Sequence, residues 1–170
     1  MLLDTKTVDS IKKQKVTFVK NFTHISDNYD FNKISKLVDD NYLQVDNKPG
    51  QANHFSSIWQ LYCVHKVDET LNSYFDFLTK IFKYVRDARD GVDLFFSFVT
   101  NASHSHVDIE DVFLIGLSGK TIYRLIKEER DYIIEKGDLL YIPKGTAHKA
   151  ISLTPRIIAS VGLLGGKNYD

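Results

Sequence analysis

A mainly β protein, an antiparallel double-sheet jelly roll with helices in its N-terminal part, is predicted by two features of the sequence. Seven short apolar segments follow one another from Val92 to Leu164, separated only by polar or Gly/Pro turns. One long amphipathic segment, Asp68 to Asp90, precedes them, so strands do not alternate with helices as βαβ units would require.

Taken in order, Asp4 to Lys15 is polar and carries at most a weak helical pattern. Val16 to Lys20 is rich in β-formers and reads as a strand. Asp30 suits the N-cap of a short helix whose Phe31, Ile34, Leu37 and Val38 share one side. Asn41 to Ser57, with Pro49-Gly50 at its centre, reads as loop. Ile58 to Val64 fits strand or helix equally. From Asp68, Leu71, Tyr74, Phe75, Leu78, Ile81, Phe82 and Val85 recur at three- and four-residue spacing. That stripe needs an apolar sheet face to cover, and Gly91 suits its stop.

The strands that supply the sheet are Val92–Val99, His106–Leu117, Thr121–Ile126, Tyr132–Glu135, Leu139–Ile142, Ala150–Leu153 and Ile157–Leu164. With the strand near Phe18 the count reaches eight, enough for a jelly roll whose helices pack outside one sheet. A chain of 170 residues defaults to one domain over 1–170, with a helical and strand part over 1–91 and a jelly-roll core over 92–166.

Lys+Arg and Asp+Glu number 22 each, so no bulk charge favours nucleic acid or an acidic membrane surface. Cys63 is the only cysteine, which rules out an intramolecular disulfide. The N-terminus lacks the apolar core of a signal peptide, and no apolar run reaches membrane-spanning length. The expected setting is the cytoplasm, with no membrane partner. Oligomeric state has no signature in the sequence.

Two stretches carry chemistry. His106-Val-Asp108 lies in a strand-like segment, where alternation puts both side chains on one face, roughly 7 Å apart. Gly137-Asp-Leu-Leu-Tyr-Ile-Pro-Lys-Gly-Thr-Ala-His148 is a strand closed by a Pro143-Lys144-Gly145 reversal that delivers a second histidine. Two imidazoles and one carboxylate can occupy one face of an octahedral ion. Three positions stay open, as in non-haem Fe(II) oxygenases. His104 and Glu110 share the same alternation, so geometry leaves the ligand set open. His24, His54 and His65 have no ligand spacing, and Lys127 to Asp131 reads as a solvated turn.

At these residues the sequence resembles a family. Gly137-x5-Pro143-x-Gly145-x2-His148 is similar to the second cupin motif, with Ser152 where a trailing Asn is usual. His106-x-Asp108 followed by Val112-Phe-Leu-Ile-Gly-Leu-Ser-Gly119 resembles the metal strand of Jumonji-C-like 2-oxoglutarate oxygenases. The likeness runs from about Val92 to Gly166. It implies a double-stranded β-helix that binds Fe(II) through His106, Asp108 and His148. It also implies 2-oxoglutarate as co-substrate, O2, and hydroxylation of an unidentified substrate; small molecules, proteins and tRNA all occur among such proteins. A set of His104, His106, Glu110 and His148 would instead imitate germin-like cupins. However, the Gly after Glu110 falls later than those proteins place it, at Gly119.

The resemblance also sets an expectation for the far carboxylate of 2-oxoglutarate. Jumonji-C-like bacterial and ribosomal hydroxylases carry Lys or Arg two residues after the Gly turn, which is Thr121 here. Lys120 is adjacent but alternation turns it to the other face. Other 2-oxoglutarate oxygenases use a cation on the last strand, where Arg156 stands. Arg156 is therefore the expected anchor, with hydroxyls from Thr121 and Tyr123. The chain ends soon after its last strand, so the dimerisation and winged-helix regions of larger ribosomal hydroxylases are not expected, and a ribosomal substrate is the less expected one. Two alternatives remain: a cupin metalloenzyme not using 2-oxoglutarate (a dioxygenase or isomerase), and a ligand-binding cupin without catalysis.

Overall fold

The structure, a computed structural model, describes residues 3–24, 29–39, 43–45, 58–63, 69–83, 91–97 and 104–164. Its elements in chain order are α1 (Thr5–Lys12), β1 (Thr17–Val19), α2 (Phe31–Asp39), β2 (Leu43–Val45), β3 (Ile58–Cys63), α3 (Glu69–Phe82) and β4 (Gly91–Ser97). There follow β5 (Asp111–Ser118), β6 (Thr121–Leu125), β7 (Arg130–Ile134), β8 (Leu139–Ile142), β9 (His148–Ser152) and β10 (Arg156–Leu163). All pairings are antiparallel. A major sheet runs β1-β8-β5-β10-β4-β3-β2, and a minor sheet runs β7-β6-β9. This is the jelly roll that the run of short strands predicts.

Period-two alternation divides the apolar residues of β5, β8 and β10 between two cores. Phe113, Ile115, Leu117, Leu139, Tyr141, Ile157, Ala159, Val161 and Leu163 face the helices. There they pack with Ile11, Ile34, Leu71, Tyr74, Phe75, Leu78 and Phe82. Val112, Leu114, Leu140, Ile142 and Ile158 face the minor sheet and meet Tyr123, Leu125, Ile134 and Ala150. The central strands are buried on both sides, which is why β5, β8 and β10 read as continuous apolar runs. The aromatic stripe of α3 is core, covering the outer face of the major sheet; Phe82 stacks on Phe113 with ring centroids 5.5 Å apart.

Several local expectations need correction. Asp4 to Lys15 contains a real helix: Asp4 caps α1 by accepting from the Thr7 amide at 2.6 Å, and Ile11 is buried. The supposed loop Asn41–Ser57 includes β2, and the undecided Ile58–Val64 segment is a strand, β3. Both extend the major sheet beyond the predicted eight strands, because β3 finds a free edge at β4. The long helix is described to Phe82, residues 84–90 lie outside the described set, and Gly91 opens β4 instead of stopping the helix. The strand expected from His106 starts at Asp111.

Two backbone features pin the sheets together. Gly116 on β5 donates its amide to Asp138 O (3.0 Å) and accepts from Gly137 N (2.8 Å). A side chain at Gly116 would collide with the Glu135 carbonyl, so only glycine allows this approach. The Asp138 carboxylate is fully buried and satisfied by the Glu135 amide (3.0 Å), the Asn21 amide (3.1 Å) and Lys20 Nζ (3.0 Å). It ties the β7–β8 turn to the end of β1.

Candidate metal centre

His148 opens β9 and His106 sits in the extended segment before β5. The two form a reciprocal backbone pair, His106 N to His148 O at 3.0 Å and His148 N to His106 O at 2.9 Å. Two residues on, the Gly145 amide donates to the Asp108 carbonyl at 3.0 Å. The PKG turn and the His-x-Asp segment are thus joined main chain to main chain, and their side chains converge. One ligand-capable atom from each of His106, Asp108 and His148 lies within 4.8 Å of the others.

Hydrogen bonding fixes which imidazole nitrogens are available. His106 Nδ1 lies 3.0 Å from the His104 carbonyl, and His148 Nδ1 lies 2.9 Å from the Thr146 carbonyl. A carbonyl only accepts, so each Nδ1 carries the proton and each Nε2 presents its lone pair. Both Nε2 atoms face Asp108, at 3.8 Å from Oδ1 for His106 and 3.5 Å from Oδ2 for His148. An ion bonded to each at about 2.1 Å would need neighbours about 3 Å apart. Small side-chain rotations therefore suffice, and the donor set fits a divalent ion of the Fe(II) type. Burial pushes the His148 imidazole below its usual pKa, with His106 adding to that and the Thr146 carbonyl and Asp108 opposing. It is therefore held neutral, the form that ligates metal.

The rival ligands do not join this group. His104 is exposed and contributes its carbonyl, and Glu110 lays its carboxylate over Gly162 on β10. The expectation that 104, 106, 108 and 110 share one face fails because the chain bends at Ile109 and Glu110 before β5 begins. His54 and His65 lie outside the described residues.

A second polar group lies deeper between the sheets. The minor-sheet register pairs Leu125 with His148, Tyr123 with Ala150 and Thr121 with Ser152, so the inward side chains run from the triad to a far pole. Arg156, on the barrel face of β10, is buried there and donates Nη1 to Thr121 Oγ1 at 3.3 Å. The Tyr123 hydroxyl is raised above its usual pKa by burial, opposed by the neighbouring Arg156 guanidinium, and stays a protonated donor. Among the described residues no carboxylate pairs with Arg156, and its Nε has no hydrogen-bond partner. Ser152 Oγ, also buried, is unpartnered. Lys120 points outward as alternation requires, with Nζ 2.7 Å from Glu135 Oε1. Hydrogen bonds from Lys120 and then Lys20 hold the Glu135 carboxyl at about 2.

Two residues of this region escape a reading of the sequence. Asp111 is buried and accepts from Tyr141 Oη (3.1 Å) and from the Lys144 amide (3.0 Å), so it braces the turn that carries His148. Its signal, an acid opening an apolar strand, is also the signal of an ordinary strand start. Ser152 stands out in sequence only as a departure from Asn, and its inward direction follows from the β9 register.

Gly145 has φ +82° with open space where a side chain would stand. Gly145→Val is therefore expected to act through backbone strain alone, costing about 1–3 kcal/mol of stability. It should also lower metal affinity, because the Gly145 amide holds Asp108. Thermal melting and Co(II) titration on the same samples check this, and unchanged metal affinity would show that the turn does not place the ligands.

The fold and these residues define a double-stranded β-helix with, at one end, a His-Asp-His group that could hold a metal ion. Residues 120–169 match the family model of the JmjC domain, a stretch that includes Thr121, His148 and Arg156. The fold is shared with the ribosomal oxygenase YcfD of Escherichia coli. Its complex with cobalt and 2-oxoglutarate is 22% identical, covering 95% of this chain and 52% of that one, with a TM-score of 0.61. The complex with cobalt and succinic acid is 21% identical over 95% and 51%, also at 0.61. An X-ray structure of the same protein covers 99% of this chain and 54% of that one, at 20% identity and a TM-score of 0.64. This chain thus spans about half the length of those chains. No curated protein matches it. Among the described residues, no helix is long and apolar enough to cross a membrane.

Proposed function

We propose that this protein is an Fe(II)- and 2-oxoglutarate-dependent oxygenase that hydroxylates an as yet unassigned substrate. His106, Asp108 and His148 hold the metal, and Arg156, with Thr121 and Tyr123, holds the far carboxylate of the co-substrate. The observation that carries the reading is the pairing of two polar groups between the same two sheets. A His-Asp-His group stands at one end, and a buried cation with no carboxylate partner among the described residues faces the minor sheet from β10. A guanidinium desolvated in this way is costly unless an anion completes it. A dicarboxylate that chelates metal at one end and meets Arg156 at the other satisfies both. When bound, Fe(II) supplies O2 activation coupled to decarboxylation of 2-oxoglutarate to succinate.

The chain's own residues orient, exclude water and set charge. The two Nδ1–H bonds aim the imidazoles, and Asp108 offsets part of the ion's charge. Val112, Leu114, Ile142 and Ile158 help keep the space between the poles dry. We place the chain in the cytoplasm and treat residues 1–170 as one functional domain, since β1 and β3 pair directly with the jelly-roll strands. The bound cobalt and 2-oxoglutarate of the YcfD structures support the choice of co-substrate.

The test is release of succinate and CO2 from 2-oxoglutarate by the Fe(II)-loaded protein under O2, with and without a chelator. Chelator-sensitive turnover, even slow and uncoupled from substrate, is the expected result. Tight Fe(II) binding with no 2-oxoglutarate binding would favour the cupin enzymes that do not use it.

A further inference from the structure

The segment that carries His106 and Asp108 flanks β9 on one side, and among the described residues no strand pairs with its other side. His106 directs both main-chain groups to His148, and the Asp108 carbonyl accepts from Gly145. In an extended chain successive residues turn their N–H and C=O to opposite sides. Those of Val107 therefore face away from β9. Among the described residues, neither main-chain group of Val107 has a hydrogen-bond partner. The Val107 side chain is 53% exposed and that of Ile109 75% exposed. Free main-chain groups flanked by apolar side chains are what an added β-strand requires.

We propose that this edge takes an extended polypeptide segment as an additional strand of the minor sheet. The guest residue facing Val107 would be apolar, meeting its exposed side chain. The guest residues on either side of it would turn their side chains to the face that bears His106 and Asp108, over the metal centre. A nucleic-acid strand fits less well, because Asp108 and Glu110 bracket the edge and 104–110 contains no lysine or arginine to offset phosphate. The pairing stands on the main-chain geometry. Only the fate of the delivered side chain rests on the oxygenase reading.

The probe is a capped nine-residue peptide of alternating threonine and valine with a central alanine. It is titrated into the full-length 15N-labelled protein loaded with Zn(II) as a diamagnetic stand-in. The Val107 amide should shift and its hydrogen exchange slow at least about tenfold, the scale of one or two added hydrogen bonds. The same peptide N-methylated at the valine facing Val107 should bind about 10- to 100-fold more weakly. Val107→Pro should lose the peptide to the same degree while keeping its Zn(II) affinity. Equal binding of the N-methylated peptide would overturn the proposal. So would peptide binding that leaves the Val107 amide unprotected, or protection of that amide by a single-stranded oligonucleotide and not by the peptide. Peptide pairing in a protein that never turns over 2-oxoglutarate would sink the oxygenase reading and leave the edge assignment standing.

Discussion

Asp108→Ala is expected to remove tight Fe(II) binding, while His104→Ala and Glu110→Ala retain most of it. The three substitutions sample one short segment, so a general loss of fold there would affect all of them. Only Asp108 places its carboxylate between the two Nε2 atoms, at 3.5 and 3.8 Å. On the proposed reading, removing it deletes one of three protein ligands and the negative charge that offsets the ion. Residues that merely support a ligand already cost about 10- to 100-fold in affinity when lost, so the loss of a ligand should exceed that. Competitive titration with Co(II) as a spectroscopic reporter gives the three affinities side by side. Retained affinity in Asp108→Ala with losses in the other two would restore the four-ligand reading of His104, His106, Glu110 and His148.

The second large effect is expected at Arg156. Arg156→Ala should weaken 2-oxoglutarate binding by roughly 2–5 kcal/mol, the usual penalty for breaking a buried charged pair from one side. Metal affinity should survive, since Arg156 lies at the far pole and touches no ligand. Lys120→Ala should change little, because its ammonium is engaged with Glu135 on the outer face. Ser152→Ala provides a graded comparison: its unpartnered hydroxyl can donate one hydrogen bond, worth about 0.5–1.5 kcal/mol. Calorimetric titration of 2-oxoglutarate into the metal-loaded wild type and the three variants orders them. Loss in Lys120→Ala alone would mean that the anchor lies on the other face of β6.

The parts of this molecule legible in sequence are those whose pattern repeats. The apolar runs at Leu139–Ile142 and Ile157–Leu164 gave strands with nearly their observed bounds, and the Leu71–Phe82 stripe gave a helix whose buried face covers a sheet. Pro143-Lys144-Gly145 gave the turn before His148. What stayed hidden depends on partners far along the chain. β2 is three residues long and exists through pairing with β3, which pattern within Asn41–Ser57 could not reveal. α1 is too polar for its periodicity to show, and one capping bond plus one buried Ile11 settle it. At the site, alternation turned Thr121 and Tyr123 inward, where Arg156 meets them from the facing sheet, but it overreached at Glu110. A bend between Asp108 and β5 breaks the strict two-residue repeat, and nothing in Ile109-Glu110 announces one.

Tyr141 links the helix-side core to the turn before His148 in a way that bears on how the protein would fail under heat. Its ring packs on the helix side of the major sheet, 4.8 Å from Phe113, while its hydroxyl reaches the Asp111 carboxylate that holds the Lys144 amide. Loosening of the helical layer is therefore felt four residues upstream of His148, through the carboxylate that braces the turn. Thermal inactivation would begin as a loss of ligand alignment while the strands remain paired. Substitutions that tighten the Leu71–Phe82 helix against the sheet would then raise the working temperature of a centre they never touch.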